Sequence, residues 1–150
     1  VLLAETECKV SQIPGWKTVC TVVGVTYILL ASMMLFSGFQ QMADFGVPEV
    51  VLASPHAADF HHWLFVHMSV IGVLIVLLGR YVQSADAQRT VARVLTLVAL
   101  HYTYLDLRTS EMFGIGLYAG RAWVVPTAVD VLFALTFAVM SFCKPLPRGQ

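Results

Sequence analysis

Charged residues are scarce in this sequence, and neither sign is in excess. Only 12% of the 150 residues are charged, nine acidic and nine basic, whereas soluble domains carry about 25%. Binding to nucleic acid depends on a concentrated basic surface, so the balanced charge predicts no nucleic-acid partner. Because 58% of the residues are hydrophobic and the mean hydropathy is +0.77, the composition indicates an integral membrane protein.

Several common catalytic and metal-binding motifs are also missing. The three cysteines, Cys8, Cys20 and Cys143, form neither a Cys-x-x-Cys pair nor a zinc-binding spacing. The stretch HHWLFVH at 61–67 lacks the glutamate of a HExxH metalloprotease. The glycines of FGIGLYAGR at 113–121 follow an apolar segment of membrane type rather than a strand, so they are no dinucleotide fingerprint. We therefore predict no metal site.

Four long apolar segments dominate what is present. A membrane-spanning helix needs about 20 mainly apolar residues, and the candidate spans are residues 17–39, 63–82, 90–107 and 122–143. The third is the least hydrophobic because Arg93 and His101 interrupt it. A sustained polar stripe, which a soluble amphipathic helix needs, is missing from the other three. The sequence predicts an all-α chain of one domain, residues 1–150, folded as an antiparallel four-helix membrane bundle.

Basic residues predict the orientation of this bundle, because they are retained on the cytoplasmic side of a membrane. Seven of the nine fall on the side that holds both termini and the turn between the second and third segments, and two on the other. Both termini are therefore expected on the cytoplasmic side, or on the matrix or stromal side of an organelle. The seven are Lys9, Lys17, Arg80, Arg89, Arg93, Lys144 and Arg148, and the two are Arg108 and Arg121.

Polar side chains gather in the opposite half of the bundle. His67, His101 and Asp130 lie on three different segments, each roughly 6 to 12 Å below the membrane surface at 1.5 Å per helical residue. An acid in lipid costs on the order of 3 kcal/mol, so Asp130 should face inward and find a partner. His101 and Arg121 are its expected partners, followed by Arg108 and Tyr104.

Spacing along the third segment divides its polar residues between two faces. His101, Tyr104 and Arg108 follow one another at three and four residues and so share a face of a helix. Tyr102 and Asp106, four apart, share another. One of these faces can line the interior of the bundle, while the other meets a loop or a partner protein.

Three kinds of chemistry are compatible with these residues. His67 and His101, on different helices at matching depth, are candidate ligands of a b-type haem, or either could hold a pigment. A membrane enzyme of isomerase or oxidoreductase type, acting on a lipophilic molecule, would use His101 as acid or base, Asp130 to orient it and Tyr104 as a donor to an oxyanion. The third possibility is a non-catalytic subunit.

The expected function is an accessory or assembly subunit of a membrane complex. No catalytic set is complete, and the extramembrane parts are small. Small residues on the first and last segments, such as Gly24, Ala31 and Ala134, allow close helix approach. The expected partners are membrane lipids and other integral membrane proteins or a second copy, and the polar cluster would hold a lipid or cofactor. The enzyme and the haem protein remain the alternatives.

Overall fold

The computed structural model describes residues 12–110 and 123–145, and these form helices with no β-strand among them. Three of the helices, α1, α3 and α5, are long and apolar enough to cross a membrane. The predicted all-α class is confirmed, with three candidate spans where the sequence predicts four. The elements are α1 (Trp16–Ser37), a 3-10 helix (Phe39–Phe45), α2 (Glu49–Leu52), α3 (Pro55–Tyr81), α4 (Ala85–Thr109) and α5 (Val124–Phe142).

Serine caps determine where α3 and α4 begin. The Ser54 hydroxyl accepts a hydrogen bond from the Ala57 N–H, and Pro55 occupies the first helical position, where its missing N–H costs nothing. Ser84 caps α4 in the same way, through the Ala87 N–H at 3.2 Å. Helix α3 therefore starts well before the predicted start of its apolar segment at residue 63.

Helices α1 and α3 run antiparallel with their backbones in direct contact. A Cβ built on Gly24 would lie 2.5 Å from the carbonyl oxygen of Gly72, and one built on Gly72 would lie 2.6 Å from the carbonyl oxygen of Gly24. Further along, a Cβ on Gly79 would lie 2.5 Å from the Cβ of Cys20. Only glycine fits at these positions, and its absent side chain permits the close crossing that drives helix association in membranes.

Helices α4 and α5 form a second antiparallel pair. Arg89, near the start of α4, donates to the carbonyl oxygen of Cys143 after the end of α5, at 3.2 Å. The buried face of α4 carries Ala92 and Ala99, which are small enough for close packing. The two pairs meet through side chains: the rings of Tyr27 on α1 and Phe133 on α5 lie 5.3 Å apart in the common core.

A buried glutamine joins the two pairs at one end of the bundle. Gln88 is 1% exposed; its carbonyl oxygen accepts from the Ile13 N–H at 2.7 Å, and its amide nitrogen donates to the Val82 carbonyl at 2.8 Å. Residues 12 and 145 therefore lie at the same end of the bundle as the turn before α4, as the up-and-down order predicts.

From the sequence, Trp16, Trp63 and Trp123 each stand at a predicted membrane boundary and are expected to act as anchors there. In the structure, Trp16 and Trp63 differ. Trp63 is 55% exposed, as a boundary anchor would be, but Trp16 is only 3% exposed. The indole N–H of Trp16 donates to the Leu78 carbonyl at 3.3 Å. Trp16 thus packs between α1 and α3 instead of facing lipid headgroups, and its interpretation as an anchor is wrong.

Candidate functional site

Asp130 faces the inside of the bundle, as expected, but its neighbours are not the expected ones. Its Oδ1 accepts a hydrogen bond from the Tyr27 hydroxyl at 3.3 Å. His101 and Tyr104 are exposed on α4, with their ring centroids 6.3 Å apart. Arg121, the other expected partner of Asp130, lies outside the described residues. The structure therefore does not bring together His101, Tyr104 and Asp130, the three residues predicted for catalysis.

The two candidate haem ligands are not brought together either. His67 is exposed, and its Nδ1 lies 2.8 Å from the carbonyl oxygen of Trp63, whose ring it contacts at 4.1 Å between centroids. His101 contacts Tyr104 on its own helix. Residues 12–110 and 123–145 also contain no group of three His, Cys, Asp or Glu placed to hold a metal ion. The pairing of His67 with His101 thus has no support in the geometry.

The interior polar group, which we call the carboxyl cluster, consists of Tyr27, Tyr102, Asp106, Thr127 and Asp130. The Asp106 carboxyl lies close enough to the Asp130 carboxyl and to Thr127 to interact with both. Tyr102, four residues before Asp106, is close enough to Asp130 to interact with its charge. Three helices, α1, α4 and α5, thus contribute to one polar group between the two helix pairs.

Two atoms of the carboxyl cluster have no hydrogen-bond partner among the described residues. These are Asp106 Oδ2 and Thr127 Oγ1, and both are shielded from solvent. The Asp106 carboxyl interacts with Thr127, but these two atoms form no hydrogen bond of normal geometry with each other. A buried polar atom without a partner costs about 1 to 3 kcal/mol, so the cluster retains unused hydrogen-bonding capacity at this point.

Electrostatics limits the charge that the cluster can carry. In the part of the chain that the structure describes, no Lys, Arg or His pairs with Asp106 or Asp130, and the one ion pair joins Arg89 to Asp86 elsewhere. Two neighbouring carboxylates without a cation repel each other strongly out of water, and a shared proton relieves the repulsion. The arrangement is therefore suited to holding and transferring a proton.

A second group of residues, polar except for Leu97, lies on the opposite side of α4, and we call it the outer stripe. Its members are spaced by four, four, three and four residues, so they share one helical face, and all are exposed. The guanidinium of Arg108 lies 3.5 Å from the Tyr104 hydroxyl. The outer stripe consists of Arg93, Leu97, His101, Tyr104 and Arg108.

No protein-family model matches this chain, and the searches of curated proteins and of solved structures found no match. Two features of the structure bear on its function. The carboxyl cluster lies inside the bundle, and the outer stripe lies on its surface.

Sequence reasoning missed Tyr27 and Thr127 as members of the site, and a signal for each was present. Tyr27 is the one hydroxyl-bearing aromatic residue of its apolar segment, and Thr127 precedes Asp130 by three residues, which places the two on one helical face. Gln88 could have been noticed as an uncharged polar residue in register with Ala92 and Ala99.

Proposed function

We propose that this protein is a four-span accessory or assembly subunit of a membrane protein complex, with both ends on the cytoplasmic side. Helix α4 pairs with α5 in antiparallel order, and α5 is itself a candidate span. A helix paired in this way shares the depth of its neighbour, which supports α4 as the fourth span. Lys17, Arg80 and Arg89 are at the end that holds residues 12 and 145, which supports the cytoplasmic orientation.

The observation that carries this proposal is the outer stripe. At 1.5 Å per residue, Arg93 and Arg108 are about 22 Å apart along α4, so each can extend towards a membrane surface. His101 and Tyr104 lie between them, exposed at a depth where lipid offers no hydrogen bonds. Polar groups in membranes usually face protein, and the described residues cover the other face of α4. The outer stripe is therefore the surface on which a partner would pack.

Charge indicates the chemistry of that partner. The outer stripe contains two arginines and a histidine but no acid. A second copy packed on the same face would place like charges together. The expected partner is a different integral membrane protein, whose facing helix offers carboxylate, amide or carbonyl acceptors to His101, Tyr104 and the arginines.

Site-specific photo-crosslinking in native membranes tests this proposal. A photoreactive amino acid at position 97 or 101 is expected to crosslink to one identified integral membrane protein, because the partner covers these positions. The matched control is position 135 on α5, where Leu135 is 60% exposed and should face lipid. His101→Leu should reduce recovery of the crosslinked partner in co-purification. Adducts with lipid alone at 97 and 101, or equal crosslinking at 135, would contradict the proposal.

A second candidate function, a membrane enzyme for a lipophilic substrate, is favoured by the unpaired atoms of the carboxyl cluster. Asp106 Oδ2 is shielded from solvent and has no hydrogen-bond partner within 12–110 and 123–145, and the Tyr27 hydroxyl donates to Asp130. General acid–base catalysis needs such a positioned proton acceptor and donor. In this proposal Asp130 keeps its predicted role of orienting the base, and Asp106 takes the role predicted for His101.

Lipid analysis separates the two functions. Under the enzyme proposal, Asp106→Asn should remove a lipid species that membranes containing the wild-type protein accumulate, because the amide cannot accept the proton. Chromatography with mass spectrometry detects such a change even for an isomerisation. His101→Leu serves as the control and should leave the lipid profile unchanged. Identical profiles for wild type and Asp106→Asn would remove the enzyme proposal, and a haem absorption band lost in His67→Leu would favour the haem protein.

A further inference from the structure

A cavity of about 590 Å³ opens at the polar end of the first helix pair, where α1 begins and α3 ends. It is far larger than the roughly 30 Å³ that a water molecule occupies. Gly15 is in its wall, and a Cβ built there would meet nothing within 4 Å, so the cavity is open on this side. We call it the basic cavity.

The charged side chains lining the basic cavity are both cations. Lys17 comes from α1 and Arg80 from α3, and none of the described residues that line the cavity is acidic. Neither cation forms an ion pair with a residue in 12–110 or 123–145. Two cations that line one cavity make a favourable environment for an anion, and the guanidinium of Arg80 can hold two oxygens of a phosphate at once.

Polar hydrogen-bond donors supplement these charges. Helix α1 begins at the cavity wall, and its cap residue, Gly15, contributes no side-chain hydrogen bond to the first turn. Thr18 also lines the cavity, and its hydroxyl is exposed and can donate to an anion. These groups add to the attraction of Lys17 and Arg80.

The location indicates which anions would reach the cavity. Helices α1 and α3 are both candidate membrane spans, and the cavity lies at their shared polar end. Tyr81, in its lining, is 76% exposed, as is common for aromatic residues at the headgroup level. Anionic phospholipids are concentrated in the cytoplasmic leaflet, and basic pockets at the ends of membrane helices bind their headgroups.

From the basic cavity with its Lys17–Arg80 pair, we infer that this protein binds the phosphate group of an anionic phospholipid there. The two cations hold the phosphate, and the acyl chains lie along the exposed apolar sides of α1 and α3. This site lies in the opposite half of the bundle from the carboxyl cluster and shares no residue with the outer stripe. It rests on the membrane orientation proposed above, but not on the subunit or enzyme function.

Native mass spectrometry of the full chain, released from mixed micelles, tests the inference. The probes are phosphatidylglycerol, phosphatidic acid and, as the neutral reference, phosphatidylcholine. Wild type should retain an anionic lipid, and the double variant Lys17→Gln/Arg80→Gln should bind it roughly tenfold to thirtyfold more weakly, since each basic residue near a membrane surface contributes on the order of fivefold. Lys144→Gln, an exposed cation at the same end but outside the cavity, is the matched control.

The other arms distinguish the source of the phosphate. If inorganic phosphate displaces the lipid from wild type but not from the double variant, the cavity recognises phosphate itself. If inorganic phosphate does not displace the lipid, the cavity recognises the whole phospholipid and not the phosphate group alone. Arg80→Lys, which keeps the charge and loses the two-pronged contact, should fall between wild type and the double variant. Equal retention by wild type and the folded double variant, or an equal loss in Lys144→Gln, would overturn the inference.

Discussion

Gly72→Ala is expected to lower the free energy of unfolding by about 3 kcal/mol, at the upper end of the range for overpacked cores. The new Cβ would lie 2.6 Å from the carbonyl oxygen of Gly24 and 2.8 Å from Cγ1 of Ile28. The first of these atoms belongs to the α1 backbone, so α1 and α3 must move apart along much of their length. Alanine is the better helix former by about 1 kcal/mol, and this gain offsets only part of the loss.

Unfolding by sodium dodecyl sulfate in mixed micelles, followed by circular dichroism, measures this effect. Val73→Leu is the matched control, because Val73 is the next residue on α3 and is 46% exposed. This control should unfold within about 0.5 kcal/mol of wild type, the usual range for surface substitutions. Wild-type stability in Gly72→Ala would mean that α1 and α3 do not touch at their glycines.

Gln88→Leu is expected to lower the free energy of unfolding by about 2 to 4 kcal/mol. The substitution leaves both the Ile13 N–H and the Val82 carbonyl without their hydrogen-bond partner, and each unsatisfied buried group costs about 1 to 3 kcal/mol. Gln88→Glu keeps an acceptor for the Ile13 N–H, but its second oxygen cannot donate to the Val82 carbonyl and repels it. At neutral pH this variant should therefore also be less stable than wild type.

The same unfolding assay compares these variants with Gln40→Leu, since Gln40 is exposed on the 3-10 helix. Hydrogen exchange provides a second measurement. In Gln88→Leu the Ile13 amide should exchange faster, because it has lost its acceptor, whereas amides in the middle of α1 should keep their protection. Unchanged exchange at Ile13 together with wild-type stability would show that Gln88 does not join the two helix pairs.

Much of the helical framework could be predicted from the sequence, because long apolar runs identify α1, α3 and α5 directly. The beginning of α3 could not, since the prediction followed hydrophobicity and passed over the cap formed by Ser54 and Pro55. The 3-10 helix and α2 were missed for another reason. They are too short for a hydrophobic period to appear, and they are held in place by their contacts with the ends of α1 and α3.

The candidate site was only partly predictable. Membrane energetics correctly placed Asp130 inside the bundle, and spacing correctly divided the polar residues of α4 between two faces. Spacing alone does not tell which face turns inward. In the structure, the face of α4 with small side chains turns inward, because Ala92 and Ala99 allow α5 to approach closely. Asp106, seven residues after Ala99, lies on the same face and is therefore inside the bundle. His101 and Tyr104 are then left on the outside.

The arrangement of the helices in two pairs has a consequence for how the chain folds. Close backbone contact occurs within the pairs α1–α3 and α4–α5, and the members of each pair are near neighbours in sequence. Each hairpin can therefore close soon after its second helix has been synthesised, without waiting for the rest of the chain. Docking of the hairpins is the late step. It depends on a few groups at their boundary, notably Tyr27 with Asp130 and Gln88 with Ile13, so this boundary is where partial opening of the native state would begin.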